Sequence, residues 1–385
     1  MTPQTRRVSP PDHPLRIAIV APPWLPVPPK GYGGTEAVLD RLAAGLERAG
    51  HHVVLVAHPD STCPVELRPT EPVPAGTDIG AAAFELRHVV QAYHLLAARE
   101  LDVVHDHTLA GPLLGPHITS MPIVTTNHGP FDDVVTPLYA EMARTVPVLA
   151  ISHCQASSAV GFTPLAVIHH GLDVDRSPVG TGAGGYLACL GRMNPNKGIH
   201  IAIEVARAAG MPLRIAAKMW ERREHEYFEA RVRPLLGGDV EYLGEVGLAD
   251  KQQLLGDAVA LVNPIRWPEP FGMVMIEALA CGTPVISFRS GAAAEIVEQG
   301  VSGLLCDTFD EMVRAARQAG SIDRGACRRR VEERFSTERM VHQHLSVYRA
   351  LVHGEGRGGG AASGMRNGHF TSDTAAVSGP GLIAP

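Results

Sequence analysis

Two carboxylates with seven residues between them, Glu269 and Glu277, stand in the run Trp267-Pro268-Glu269-Pro270-Phe271-Gly272-Met273-Val274-Met275-Ile276-Glu277-Ala278. Pro268 and Pro270 keep Glu269 out of a helix. The apolar stretch beginning near Gly272 predicts a helix that runs to Ala280 and stops at Cys281-Gly282-Thr283-Pro284. Glu269 then stands just before a helix N-terminus, and Glu277 lies more than a turn inside it. A carboxylate on an apolar face must find hydrogen-bond donors, because burying it unpaired costs several kcal/mol. Vicinal hydroxyls of a ribose or hexose are suitable donors. The free N–H groups of Gly272, Met273 and Val274 form an anion-friendly site beside them. Spacing alone leaves a plainer alternative open, in which Glu277 satisfies a core arginine and Glu269 is a solvated loop residue.

Three further constellations carry chemistry. Gly33-Gly34-Thr35-Glu36 opens a helix after the first strand, a phosphate-binding arrangement. It lacks the third glycine of a dinucleotide fingerprint and follows a long loop, and no Gly-Lys-Ser/Thr makes it a P-loop. Gly191-Arg192-Met193-Asn194-Pro195-Asn196-Lys197-Gly198 follows another strand and brings Arg192 and Lys197 to its carboxyl end, where two cations suit a diphosphate gaining charge as a bond breaks. His128 follows a strand in Thr125-Thr126-Asn127-His128-Gly129, and His105-Asp106-His107 ends the strand before it. Asp106 and His107 are candidates to line an acceptor pocket. A metal would need a third ligand, and none is signalled. Asp173-Val174-Asp175 matches a D-x-D metal motif only superficially, because it leads directly into a glycine-rich linker.

These segments resemble the retaining glycosyltransferases of family 4, which have the GT-B fold. The match rests on the EPFG…E run, the Ala-Cys-Gly-Thr-Pro-Val-Ile-Ser segment behind it, Gly291-Ala292-Ala293-Ala294-Glu295, the G-R-x-x-x-x-K-G segment and the Gly-Gly-Thr loop. It spans roughly residues 15 to 352. The resemblance implies that Glu269 contacts the donor sugar and Glu277 the nucleotide ribose, with Phe271, Gly272, Met273 and Val274 beside them. Arg192 and Lys197 would hold the diphosphate, and Gly33 and Gly34 would approach the phosphates and the acceptor. His128 would lie by the reacting sugar carbon, orienting the sugar and stabilising positive charge. It further implies front-face substitution with retention, without a cofactor or a metal, onto a glycan, lipid-linked or small-molecule acceptor hydroxyl. The sequence departs from the family at Ala216-Ala217-Lys218, where Gly-rich sequence is usual, and Lys218 has no assigned role. A glycosidase would need neither Arg192 and Lys197 nor a glycine loop at a helix start. An NAD-dependent oxidoreductase is disfavoured by the incomplete fingerprint, and the EPFG…E arrangement favours transfer over the chemistry of a GT-B sugar-nucleotide 2-epimerase. A non-catalytic sugar-binding protein is a further alternative, although each motif above is intact.

The elements that must position these residues alternate between short apolar strands and amphipathic helices, predicting an α/β protein with two Rossmann-like domains facing each other across a cleft. Residues 15–178 form the expected acceptor-binding domain and 179–337 the nucleotide-sugar domain. Residues 338–353 form a last helix that can pack back on the first domain. Gly180 to Gly185 reads as a flexible linker, 1–14 as a flexible N-terminus and 354–385 as a disordered tail. The chain has 385 residues, 45% of them hydrophobic, and a formal net charge of −6, which argues against a nucleic-acid partner. Six scattered cysteines without metal spacing fit a reducing compartment. With no apolar run of membrane length, no signal region and nothing that signals peripheral membrane contact, the expectation is a cytoplasmic protein.

Overall fold

A computed structural model describes residues 13–354 except 75, 76 and 78. The terminal stretches expected to be flexible or disordered therefore fall outside the described residues but for 13, 14 and 354. The chain builds two parallel sheets. The first contains β1 (Arg16–Val20), β2 (His52–Ala57), β3 (Glu66–Pro69), β4 (Val103–Asp106), β5 (Ile123–Thr126), β6 (Val148–Ala150) and β7 (Ala166–Val167), in the order β3-β2-β1-β4-β5-β6-β7. The second contains β8 (Leu187–Arg192), β9 (Leu213–Lys218), β10 (Val240–Gly244), β11 (Ala260–Asn263), β12 (Val285–Phe288) and β13 (Gly303–Cys306), in the order β10-β9-β8-β11-β12-β13. Ile17, Ala18, Ile19 and Val20 of β1 are wholly buried, as a continuous apolar strand covered by helices on both faces must be. In both sheets the strand order reverses beside the first strand, at β1/β4 and at β8/β11. Ligands of open α/β sheets bind outside the strand carboxyl ends at such points.

Two chain crossings join the domains side by side. Leu172 N–H donates to Phe335 O at 2.9 Å, and Thr337 N–H donates to Leu172 O at 3.1 Å. The approach is so close that a Cβ on Gly171 would lie 2.7 Å from Ser336 O, which only glycine accommodates. After the second crossing, the helix Thr337–Val352 buries Met340, Val341, Leu345, Tyr348 and Leu351 in the core of the first domain.

The linker differs from expectation. Gly180, Gly182 and Gly184 donate their N–H groups to Cys281 O, Gly256 O and Asp257 O, while Arg324 reaches Gly180 O at 2.8 Å. The segment is a strap on the second domain, and its glycines serve close packing against residues 256–258. Other elements carry no clear periodic signal in the sequence. The helix Gly111–Ile118 contains Pro112 and Pro116, and between Asp132 and Arg144 only Thr136–Met142 is helical. No helix of the described residues is long and apolar enough to cross a membrane.

Candidate active site

The loop after β11 is held from beneath. Ala292 N–H donates to Glu269 O at 3.0 Å, and Ser290 Oγ–H donates to Trp267 O at 3.1 Å. Gly291 sits at φ +60°, and a Cβ there would come within 2.4 Å of the Glu269 backbone. Glu269 is thus fixed where the helix Met273–Ala280 begins. That helix buries Met275, Ile276, Ala278 and Leu279, and turns Glu277 toward a cleft of about 520 Å³ between the domains. Lys197 Nζ pairs with Glu269 Oε1, and Lys251 Nζ lies 2.8 Å from Glu277 Oε1. All four side chains are largely buried. Glu269 Oε2 is enclosed without a partner. Glu269 and Glu277 each have an ammonium beside them, and Lys251 is a residue that sequence reasoning missed. It lies in the helix Leu248–Asp257, which carries no motif.

Across the cleft, the loop 28–34 leads into the helix Gly34–Arg48, whose N-terminus has no side-chain cap. The helix starting after Gly272 has none either. Gly33, Gly34, Gly272, Met273 and Val274 all line the cleft, so two uncapped helix N-termini face it from opposite domains. The loop also touches the second domain. Tyr32 N–H donates to Glu245 Oε1 at 2.8 Å, and Trp220 Nε1–H donates to Glu245 Oε2 at 2.8 Å. Lys218 lines the cleft, with its ammonium 3.9 Å from the centre of the Trp220 ring and 5.6 Å from that of Tyr32.

His128 lines the same wall, stacked on His170 with ring centres 5.2 Å apart. Its Nε2 lies 2.9 Å from His107 Nδ1, leaving Nδ1 buried without a partner. Burial lowers its pKa to about 4. The ring is therefore neutral near pH 7 and acts as a dipole or hydrogen-bonding group, not as a cation. Behind it, His107 and His105 are held well below the ordinary histidine range by burial. His105 joins Tyr348 Oη at 2.6 Å and Thr126 Oγ1 at 2.8 Å.

Three expectations change. Asp106 does not line the cleft. It is fully buried, accepts from Tyr93 Oη–H at 2.8 Å and Thr108 N–H at 2.8 Å, and has its pKa pushed up to about 6 by burial. A strand-end carboxylate here serves the turn that follows. His107 supports His128 from behind and reaches only a small void beneath the cleft. Arg192 is turned away, with Nε 3.3 Å from Glu224 Oε1 and Nη2 3.8 Å from Glu221 Oε1. The buried Glu224 competes for it. Phe271 is buried at the boundary, its ring edge-on to His170 at 4.9 Å. Asp173 and Asp175 diverge toward Arg48 at 3.4 Å and Arg328 at 3.8 Å. Outside the cleft, His153, His169 and Glu295 come together.

The chain can be set beside known proteins. Residues 184–320 match the family described as glycosyl transferases group 1, and residues 32–176 match glycosyltransferase family 4. A glycogen synthase of Mycobacterium tuberculosis (strain ATCC 25618 / H37Rv) is 26% identical over 406 residues, covering 89% of this chain and 96% of the relative. A phosphatidyl-myo-inositol mannosyltransferase of Mycolicibacterium smegmatis is 25% identical over 367 residues, covering 88% and 92%. Among solved structures, a glycosyltransferase involved in avilamycin A biosynthesis has a TM-score of 0.67 at 27% identity, covering 89% of this chain and 99% of that one. The Anabaena protein HepE, solved with UDP and glucose, shares the fold with a TM-score of 0.70 at 20% identity, covering 87% and 100%. Two parallel-sheet domains with a cleft between their strand ends define the GT-B class of glycosyltransferases. The chain belongs to glycosyltransferase family 4.

Proposed function

We propose that this glycosyltransferase moves a sugar from a nucleotide-diphospho-sugar, a UDP- or GDP-sugar first among them, to an acceptor hydroxyl with retention of configuration. The observation that carries this reading is the convergence of two uncapped helix N-termini and two lysines, Lys197 and Lys251, on one cleft. Free N–H groups and ammoniums in a water-poor site stabilise a diphosphate as it takes up charge. Glu269 accepts from a sugar hydroxyl through its unpartnered oxygen, and Glu277 accepts from the ribose. The fixed cations take the place of a metal, so no cofactor is required.

The substitution occurs on one face. The bond from the sugar's anomeric carbon to the phosphate oxygen breaks, the acceptor oxygen bonds to the same carbon, and the acceptor's proton passes to the departing phosphate. Neutral His128 steadies the sugar carbon as it becomes positive. Asp106, at the end of the neighbouring strand, is engaged with Tyr93 and Thr108, which supports a path without a covalent enzyme intermediate. A glycan, glycolipid or small metabolite is the acceptor class, in keeping with the names of the relatives. We place the reaction in the cytoplasm, where the chain's six free thiols would stay reduced. A thermal-shift panel of UDP-, GDP-, ADP- and TDP-sugars tests the donor, and NMR of the product's anomeric centre tests retention. An inverted product would overturn the front-face reading.

A further inference from the structure

We propose that His153, His169 and Glu295 form a site for a zinc-class divalent cation that ties the two domains together outside the cleft. His153 opens the helix His153–Ser157 of the first domain, His169 lies on the segment leading into the second, and Glu295 belongs to the helix Ala293–Ile296 of the second. One ligand atom from each lies within 4.8 Å of the others. The Glu295 carboxylate is already aimed by three contacts. Its Oε1 accepts from Cys154 N–H at 2.7 Å, and its Oε2 accepts from His153 N–H at 2.8 Å and lies 2.7 Å from His169 Nε2. Backbone donors that fix a carboxylate are the outer contacts that orient a metal ligand.

Two imidazoles and a carboxylate with an open fourth position match the donor set of zinc sites. Bonds of about 2.0–2.2 Å in a tetrahedron put the donor atoms roughly 3.3 Å apart. The His169–Glu295 contact must therefore widen slightly as the metal enters between them. His153 must swing inward. Its ring is exposed, lies 5.8 Å from that of His169 and is held by no hydrogen bond among the described residues, so it can do so. Mg²⁺, which prefers oxygen ligands, is a poor fit.

None of the three residues lines the cleft. Their neighbour His170 does, stacked on His128 and packed against Phe271. An ion here would fix the segment 169–170, and with it the distance between the walls, without touching the reacting atoms. The sugar chemistry remains metal-free.

The test is equilibrium dialysis and calorimetry of the full, tag-free chain with ZnCl₂, with MgCl₂ as the control cation. One Zn²⁺ per chain is expected, with affinity at least tenfold weaker in His153→Ala, and Co²⁺ should give the visible absorption of a tetrahedral site that His153→Ala loses. His153→Ala removes only a surface ring, and a melting curve in EDTA matching wild type would show that it folds. Because the chain has 19 histidines, equal uptake by wild type and His153→Ala would assign the zinc to other groups and overturn the site. Absence of stoichiometric binding to wild type would do the same. Neither outcome touches the donor reading, since no sugar nucleotide is present.

Discussion

The two walls of the cleft solve the same problem with opposite chemistry. The second domain presents charge, Lys197 with Glu269 and Lys251 with Glu277, while Arg192 is turned away to Glu224. Around His128 the first presents neutral groups, glycine backbone at a helix start and a stack of histidines that burial keeps uncharged, while its charged side chains Lys30, Asp40, Arg41, Asp173 and Arg176 line other parts of the cleft. Charges that are already paired cost less to keep buried, and their partners can exchange for ligand groups of like kind. On the proposed reading, neutral groups around His128 avoid a second charge competing with the diphosphate near the reacting carbon. On the same reading, most of the holding of the donor falls to the second domain and most of the steering to the first, with the glycine loop sharing in both.

The largest expected effect breaks the charged wall. Lys197→Ala should lower turnover by about two orders of magnitude or more, since it removes a cation from the leaving group and strands Glu269. Transfer should persist in EDTA. If chelation abolished it and Mn²⁺ restored it, a metal would have to replace the lysines, and Asp173 and Asp175 would be reconsidered. Arg192→Ala sharpens the point. Held by Glu221 and Glu224, Arg192 should cost less than Lys197, and an equal loss in steady-state kinetics would mean that it leaves Glu224 when donor binds.

Within that wall, Glu277→Ala should weaken the free nucleoside diphosphate by about 1–3 kcal/mol, because an accepting carboxylate and ribose hydroxyls lose each other. Glu269→Ala should lower turnover more than affinity. Calorimetry separates the two, and unchanged affinity in Glu277→Ala would remove the ribose assignment.

The neutral wall should fail in acid. Burial holds His88, His128 and His344 at about 4 and holds His105, His107 and His170 well below the ordinary histidine value. The unfolded values are near 6.5. A histidine whose pKa is lowered by folding contributes stability that is complete above about pH 6.5 and is lost as pH falls toward its folded value. Asp106 at about 6 and Glu36 at about 7 act in the opposite sense, because their raised values favour the protonated folded state as pH falls. Six groups outweigh two. The urea midpoint should therefore drop between pH 7 and pH 5, and protection from hydrogen exchange should be lost first in the first domain. Equal midpoints would show that the histidines are charged in the folded protein.

How legible the walls were in the sequence follows from the same difference. The charged wall is written in contiguous motifs, because the loop after one strand and the start of the next helix are neighbours in sequence. Glu269, Glu277 and Lys197 could be read that way. Lys251 could not, since its contact with Glu277 spans 26 residues and its helix has no motif. The contact of Tyr32 with Glu245 spans 213 residues. Asp106 was misread because a strand-end carboxylate looks the same whether it meets substrate or caps its own turn. The histidine stack showed in the sequence only as separate histidines at or just past strand ends, His105, His107, His128, His169 and His170, with nothing to say that they meet. Both folds were legible, because alternating strand and helix periods depend on local sequence alone.

The smallest expected change in nucleotide affinity is at Gly34, and it tests whether the two walls meet on one ligand. A Cβ at Gly34 meets nothing within 4 Å, so Gly34→Val should not disturb the folded protein through packing. Its φ is not in the left-handed region, so strain is not introduced either. What a valine side chain does is occupy space where donor phosphate would approach the helix N-terminus. Nucleotide held by Lys197, Lys251 and Glu277 should still bind the second domain, weakened by roughly 1 kcal/mol or less if a single backbone contact is lost. Closure should suffer more. Small-angle scattering should show wild type becoming more compact when donor nucleotide is added, with the crossing segment 171–178 taking up the change in backbone angles, and Gly34→Val failing to do so while its turnover falls. If Gly34→Val closed and turned over like wild type, the glycine loop would be a structural turn, and the donor would belong to the charged wall alone.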